Sequence, residues 1–124
     1  MIHVKFEYDD EQIRLKVNGH AEQAVYGQDI ICAAASVLTK TLAQCLKWYG
    51  DNGLLRSAPR LKLKGGDANI MCRPKATEFV RVMYDFLFAQ TGFVLLAHNY
   101  PQYVMVETFE TSTEDGKTIS AREG

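Results

Sequence analysis

Apolar and polar residues alternate along the first eight positions: Ile2, Val4, Phe6 and Tyr8 fall on one side, and His3, Lys5 and Glu7 on the other. Ile13, Leu15 and Val17 repeat the pattern against Arg14 and Lys16. A period of two predicts two half-buried strands, and Asp9-Asp10 between them offers the turn of a hairpin. Residues 19–28 contain Gly19 and Gly27 and show no period, so they read as a loop. From Ile30 to about Tyr49 the spacing becomes helical, with Asp29 as a candidate N-cap and Gly50 with Asp51-Asn52-Gly53 as the stop. The apolar stripe read for this helix runs through Ile30, Ala34, Val37, Leu38, Cys45 and Trp48.

A second hairpin is predicted over residues 60–73. Leu61 and Leu63 alternate with Arg60, Lys62 and Lys64, Gly65-Gly66 makes the turn, and Ala68, Ile70 and Cys72 alternate again before Pro74. Residues 76–97 read as a second helix, with Phe79, Val82, Met83, Phe86, Leu87, Phe93, Val94 and Ala97 at helical spacing and Gly92 placed to bend or split it. Tyr100-Pro101 ends that helix, and residues 103–106 read as a last strand. The order β-β-α-β-β-α-β predicts an α+β fold, a mainly antiparallel sheet covered by two long helices. Residues 1–109 are expected to form one domain, and the polar, aperiodic segment 110–124 a disordered tail.

Composition narrows the function classes. A chain of 124 residues with 47% hydrophobic positions is sufficient for one packed core. Fourteen basic against fifteen acidic residues leave a net charge of -1, so no overall basic field draws in nucleic acid or an anionic membrane. The alternating start does not resemble a signal peptide. Cys32, Cys45 and Cys72 are an odd number without paired spacing, which suits free thiols in a reducing compartment, and a cytoplasmic location is expected. The scattered histidines and cysteines show no metal-site spacing, and no cofactor is expected.

The candidate chemistry lies in Gly19-His20-Ala21 and in Asp29-Ile30-Ile31-Cys32-Ala33-Ala34-Ala35-Ser36. A histidine stands where a strand enters a glycine-flanked loop, and a cysteine in the first turn of the next helix, where the helix dipole favours a thiolate. An imidazole nearby can take the thiol proton and return it to a leaving amine. On a helical wheel Ser36 lies about 40° from Cys32 and Thr39 about 20° to its other side, a strip of small, partly polar residues. The plainer reading makes Cys32 a small buried hydrophobe and His20 a capping or surface residue. Asp29 cuts both ways: ionised, it opposes a thiolate at Cys32, yet it can cap the helix or orient His20. Cys45 and Cys72 read as core, His98 as a helix end and His3 as an exposed strand position.

The stretch Gly19-His20-Ala21 followed by residues 29–36 resembles the signature of the ribosomal-processing cysteine protease family, Prp. The likeness extends to residues 92–104, with Leu96-Ala97, Tyr100-Pro101 and Tyr103-Val104, and covers about residues 2–109. The resemblance implies a small α+β homodimer without metal or organic cofactor, in which His20 and Cys32 form the catalytic dyad. It implies supporting places for Asp29 and Ser36, and a lid in the loop that begins at Gly19 and includes Gly27. The substrate it implies is the N-terminal extension of a ribosomal large-subunit protein, cut after a hydrophobic Phe-Phe-Ala-like segment. Phage capsid or scaffold proteins with a similar motif are the alternative substrates. Two other classes stay open: a ribosome-associated module touching RNA through Arg60, Lys62 and Lys64, and a thiol redox sensor, which would need a second cysteine within reach of Cys32.

Overall fold

The two alternating N-terminal segments pair as their pattern predicts. Strands β1 (Ile2–Tyr8) and β2 (Ile13–Asn18) run antiparallel, with Phe6 opposite Leu15 and Val4 opposite Val17. Asp9 closes the turn, its carboxylate accepting from the N–H groups of Glu11 and Gln12, each at 2.8 Å. The computed structural model that supplies these observations describes residues 1–19, 28–111 and 118–123, with side chains for 1–19 and 30–110. Helix α1 (Gln28–Asp51) follows, then β3 (Arg60–Lys64) and β4 (Asp67–Cys72) about the Gly65-Gly66 turn. A single 3-10 turn at Ala76–Glu78 leads into α2 (Phe79–Asn99), and β5 (Val104–Thr111) and β6 (Thr118–Glu123) complete the chain.

The strands form one sheet in the order β3-β4-β2-β1-β5-β6. Every pairing is antiparallel except β1 with β5, which runs parallel with Ile2 opposite Val104. A parallel neighbour must be reached by a long crossover, and the chain between β1 and β5 contains both helices. Register places Val106, Val4, Val17 and Ala68 in one row across the sheet, all buried beneath the helices. Phe6 meets Phe93 of α2 edge-on, with ring centroids 6.2 Å apart. The opposite face is polar: Lys16 pairs with Glu7 at 3.4 Å, and Lys5 lies over the Phe109 ring.

Four sequence expectations change. The stripe that α1 buries is Ile31, Ala35, Thr39, Leu42, Leu46 and Tyr49, whereas Ile30 and Val37 are 62% and 63% exposed and Trp48 is also open. Both sides of the helix carry large apolar residues, so apolar spacing alone does not choose between them. The buried row interleaves Ala35 and Thr39 with Ile31, Leu42 and Leu46, and Thr39 is accommodated there because its hydroxyl donates to the Ala35 carbonyl at 2.8 Å. Gly92 neither bends nor splits α2, which continues through it; a Cβ there would lie 2.7 Å from Cδ2 of Leu38, so this glycine marks the close approach of α1 and α2. Leu87, read as core, is 43% exposed. The 110–124 segment is not without regular structure: β5 runs on to Thr111, and β6 pairs antiparallel with it, because the outer edge of β5 presents unpaired backbone groups that an extended polar strand can satisfy.

Both helices reach the length and mean hydropathy of a membrane span; each buries one apolar row against the sheet or the other helix and leaves further apolar residues exposed. The end of β2 rests on one residue. Gly19 has φ of +100°, and a Cβ there would lie 2.2 Å from the Met1 carbonyl oxygen. Gly19→Ala is expected to cost about 2 kcal/mol or more through the disfavoured φ and the clash, lowering the melting temperature by roughly 8 °C. Thermal unfolding followed by circular dichroism checks this, and an unchanged midpoint counts against the strain.

Candidate active site

A cleft of about 420 Å³ opens between the first half of α1 and the β3–β4 hairpin. One wall is a helical row, Cys32, Ser36 and Lys40, flanked by Ala33, Ala35 and Thr39. The other wall is the hairpin end from Leu63 to Ala68. Ile2 and Val17 give an apolar floor, and Gly19 closes one end. The small side chains of α1 leave the space empty, so its shape follows from residues 32–39 as much as from the sheet.

Backbone contacts hold the walls together. Gly19 N–H donates to the Gly66 carbonyl at 3.0 Å, tying the end of β2 to the hairpin turn, and Gly66 accommodates the turn with φ of +76°. Lys62 Nζ donates to Asp67 Oδ2 at 2.7 Å; that ammonium holds the Asp67 carboxyl below its ordinary range. Both partners are about half exposed, so the pair adds little stability. Its effect is to fix which way the hairpin's charges point.

Each residue singled out from sequence now has a place, or falls outside the described residues. Cys32 is half-buried and lines the cleft, with Ser36 one turn further along the same wall. His20, Gly27 and the side chain of Asp29 lie outside the described residues, as does the rest of the loop between Gly19 and α1. Because α1 begins at Gln28, Asp29 stands inside the first turn rather than before it, and Cys32 begins the second turn. Its N–H therefore has a helical partner, and the dipole acts on it less than a first-turn position would feel. Sequence reasoning placed Thr39 on the Cys32 strip but missed the hairpin wall and Lys40. The double glycine at 65–66 signals a tight turn, but only the strand order puts it beside Cys32.

The three thiols sit in different surroundings. All are free, and only Cys32 lines the cleft. Cys45 is half-buried toward the outer flank of α1, where burial and the Asp85 carboxylate push its thiol upward. Cys72 is buried, and desolvation pushes it up to about 12. Neither shares the site with Cys32, which leaves a redox-sensing pair without a second member there. No group of three or more His, Cys, Asp or Glu residues among those described is placed to hold a metal ion. Arg60, Lys62 and Lys64 project from the sheet face away from the helices, since their cross-strand partners are Met71, Asn69 and Asp67. His3 is exposed on that face, and His98 lies in the last turn of α2.

Iodoacetamide at pH 8 is expected to label Cys32 first, Cys45 slowly and Cys72 only after unfolding, as read by peptide mass spectrometry. Equal labelling of Cys72 would contradict its burial. The raised thiol of Cys72 also sets a pH dependence. The fold favours its neutral form, so the full contribution to stability is present below about pH 9 and is lost as pH rises toward 12. The hydroxyl of Tyr49, buried and donating to Asp85 at 2.6 Å, is shifted the same way. Urea midpoints should therefore fall steadily from pH 9 upward, and a flat profile to pH 11 would contradict both shifts.

Comparison with known proteins supplies the context for this cleft. Solved structures share the fold: SMU.848 from Streptococcus mutans superposes with a TM-score of 0.67 at 23% identity, covering 90% of this chain and 96% of that one. The essential ribosomal processing protease Prp from S. aureus, in complex with a substrate peptide, gives 0.65 at 20% identity, covering 87% and 99%. The same protein with a covalently linked product peptide gives 0.65 at 21% identity, with the same coverage. No curated protein sequence matches. The family model described as cysteine protease Prp matches residues 1–105, most of the sheet and both helices, and the chain belongs to that family of cysteine proteases.

Proposed function

We propose that this chain is an endopeptidase that removes the N-terminal extension of a ribosomal large-subunit protein, cutting after a hydrophobic Phe-Phe-Ala-like segment. The observation that carries the reading is the half-buried thiol of Cys32 lining a cleft of about 420 Å³, in a member of the Prp family. His20 follows Gly19 directly in sequence, and Gly19 closes one end of that cleft. The substrate peptide in the related S. aureus protease supports a peptide as the ligand here.

In this mechanism the imidazole of His20 takes the proton from Cys32 Sγ, and the thiolate attacks the scissile carbonyl carbon. Backbone N–H groups at the start of α1 stabilise the oxyanion that forms. The C–N bond then breaks, His20 returns the proton to the departing amine, and an acyl-thioester remains on Cys32. Water, activated by the same imidazole, hydrolyses the thioester and frees the enzyme. Asp29 caps the helix or orients His20, and Ser36 supports the site one turn from the nucleophile. No cofactor takes part in these steps. Three free thiols fit a reducing, cytoplasmic setting.

We also infer a homodimer. Outer faces of both helices expose apolar residues at helical spacing: Ile30, Val37 and Trp48 on α1, and Val80, Tyr84, Phe88 and Leu95 on α2. Phe88 is 81% exposed, which is costly for a ring without a partner. Phage capsid or scaffold proteins bearing a similar motif are alternative substrates.

A peptide spanning a Phe-Phe-Ala-type ribosomal extension, incubated with the protein and analysed by mass spectrometry, should yield one cut. Cys32→Ser and His20→Ala should each lose about 10³-fold or more in kcat/KM. Full-rate cleavage by Cys32→Ser would remove the mechanism. Sedimentation should give a dimer that Phe88→Asp shifts toward monomer; a wild-type monomer at micromolar concentration would remove the homodimer.

A further inference from the structure

The sheet ends differently on its two sides. On one side β6 covers β5; on the other, β3 is the last strand, and no strand pairs with its outer edge among the described residues. The turn at Gly65-Gly66 sets which groups that edge offers. In a two-residue hairpin the flanking residues, here Lys64 and Asp67, exchange both backbone hydrogen bonds, and the pattern alternates from there. Arg60, Lys62 and Lys64 thus direct N–H and C=O toward β4, while Leu61 and Leu63 direct theirs outward.

The same alternation sorts the side chains. Leu61 and Leu63 lie on the helix side, opposite Ile70 and Ala68, and Leu63 lines the cleft while 44% exposed. The free backbone groups of Leu63 are therefore at the rim of the cleft that holds Cys32. From Cys32 to Lys40 the α1 wall rises about 12 Å, the length of roughly four extended residues.

We propose that the outer edge of β3 is the docking strand for the peptide substrate, which adds as a further strand beside Leu61 and Leu63. The proposal rests on the protease reading above. An extended peptide would have its backbone groups satisfied by those two residues, and every second side chain would enter the cleft between Leu63 and the Cys32–Ser36–Lys40 row. Because the floor is apolar and the α1 wall small, apolar side chains at alternate positions are the class selected. The occupant is a peptide and not a second copy of this edge. Pairing β3 with itself would bring Arg60, Lys62 and Lys64 of two chains together, a like-charge arrangement that keeps edges apart.

The test uses the full chain and the ribosomal-extension peptide. By NMR hydrogen exchange, adding peptide to the Cys32→Ser variant should slow the amides of Leu61 and Leu63 at least tenfold and leave that of Lys62, already in the ladder, unchanged. In an otherwise wild-type background, Leu63→Pro removes an outward-facing N–H, which an edge strand tolerates. Its melting temperature should stay near that of Leu63→Ala, with kcat/KM at least tenfold lower. Cleavage of the peptide by wild type with equal kcat/KM for the two variants, or bound peptide with fast-exchanging Leu61 and Leu63 amides, overturns the docking strand and leaves the protease standing. A peptide that wild type does not cleave overturns the protease reading and the docking strand together.

Discussion

The end of β2 is held between two backbone carbonyls, and the site depends on that contact. Gly19 lies against the Met1 carbonyl so closely that no side chain fits, and its N–H donates to Gly66 in the β3–β4 turn. One residue thereby joins the start of β1, the end of β2 and the tip of the next hairpin. The chain then leaves β2 at the mouth of the cleft, with His20 next in sequence. A residue with a Cβ at this position would have to move β2 away from β1 or the hairpin away from β2, and either shift would change the wall facing Cys32.

The second determinant is the rotation of α1. This helix carries apolar residues on two sides, and the sheet buries the row of Ile31, Ala35, Thr39, Leu42 and Leu46. That choice turns Cys32 and Ser36 toward the hairpin rather than into the core. It also turns Ile30, Val37 and Trp48 outward. The place of the Cys32 thiol in the cleft and the apolar outer face are two consequences of one packing decision. Gly92 contributes on the other side, where Leu38 of α1 fills the space that a side chain there would occupy.

The parallel pairing of β1 with β5 gives the sheet its asymmetry. With β1 and β2 in the centre, the two hairpin strands β3 and β4 are displaced to one end, and β5 with β6 to the other. Only the β3 end lies beside the cleft. Its alternating leucines and cations separate two properties on one short strand: apolar contact toward the helices, and charge on the face that opposes self-association.

Much of this was legible in the chain. Period-two runs located strands at 2–8 and 12–18 and a hairpin at 60–73, and the glycine- and proline-containing segments located the breaks, because local patterning and turn chemistry act over a few residues. Residues 19–21 and 29–36 carried the resemblance to the family to which the chain belongs. Strand order, by contrast, depends on which edges meet after collapse, so nothing local announced that Gly65-Gly66 would face Cys32. The buried stripe of α1 was misread because large apolar residues occur on both sides of the helix, Ile30, Val37 and Trp48 on one and Ile31, Leu42 and Leu46 on the other, and spacing alone does not say which side meets the sheet. The polar 118–123 segment gave no sign of a strand, since its pairing comes from the open backbone of β5 and not from its own side chains. The sequence by itself determined the elements and the candidate nucleophile; the tertiary structure decided the cleft around that thiol and the free edge beside it, because both are formed by segments that meet only when the sheet assembles.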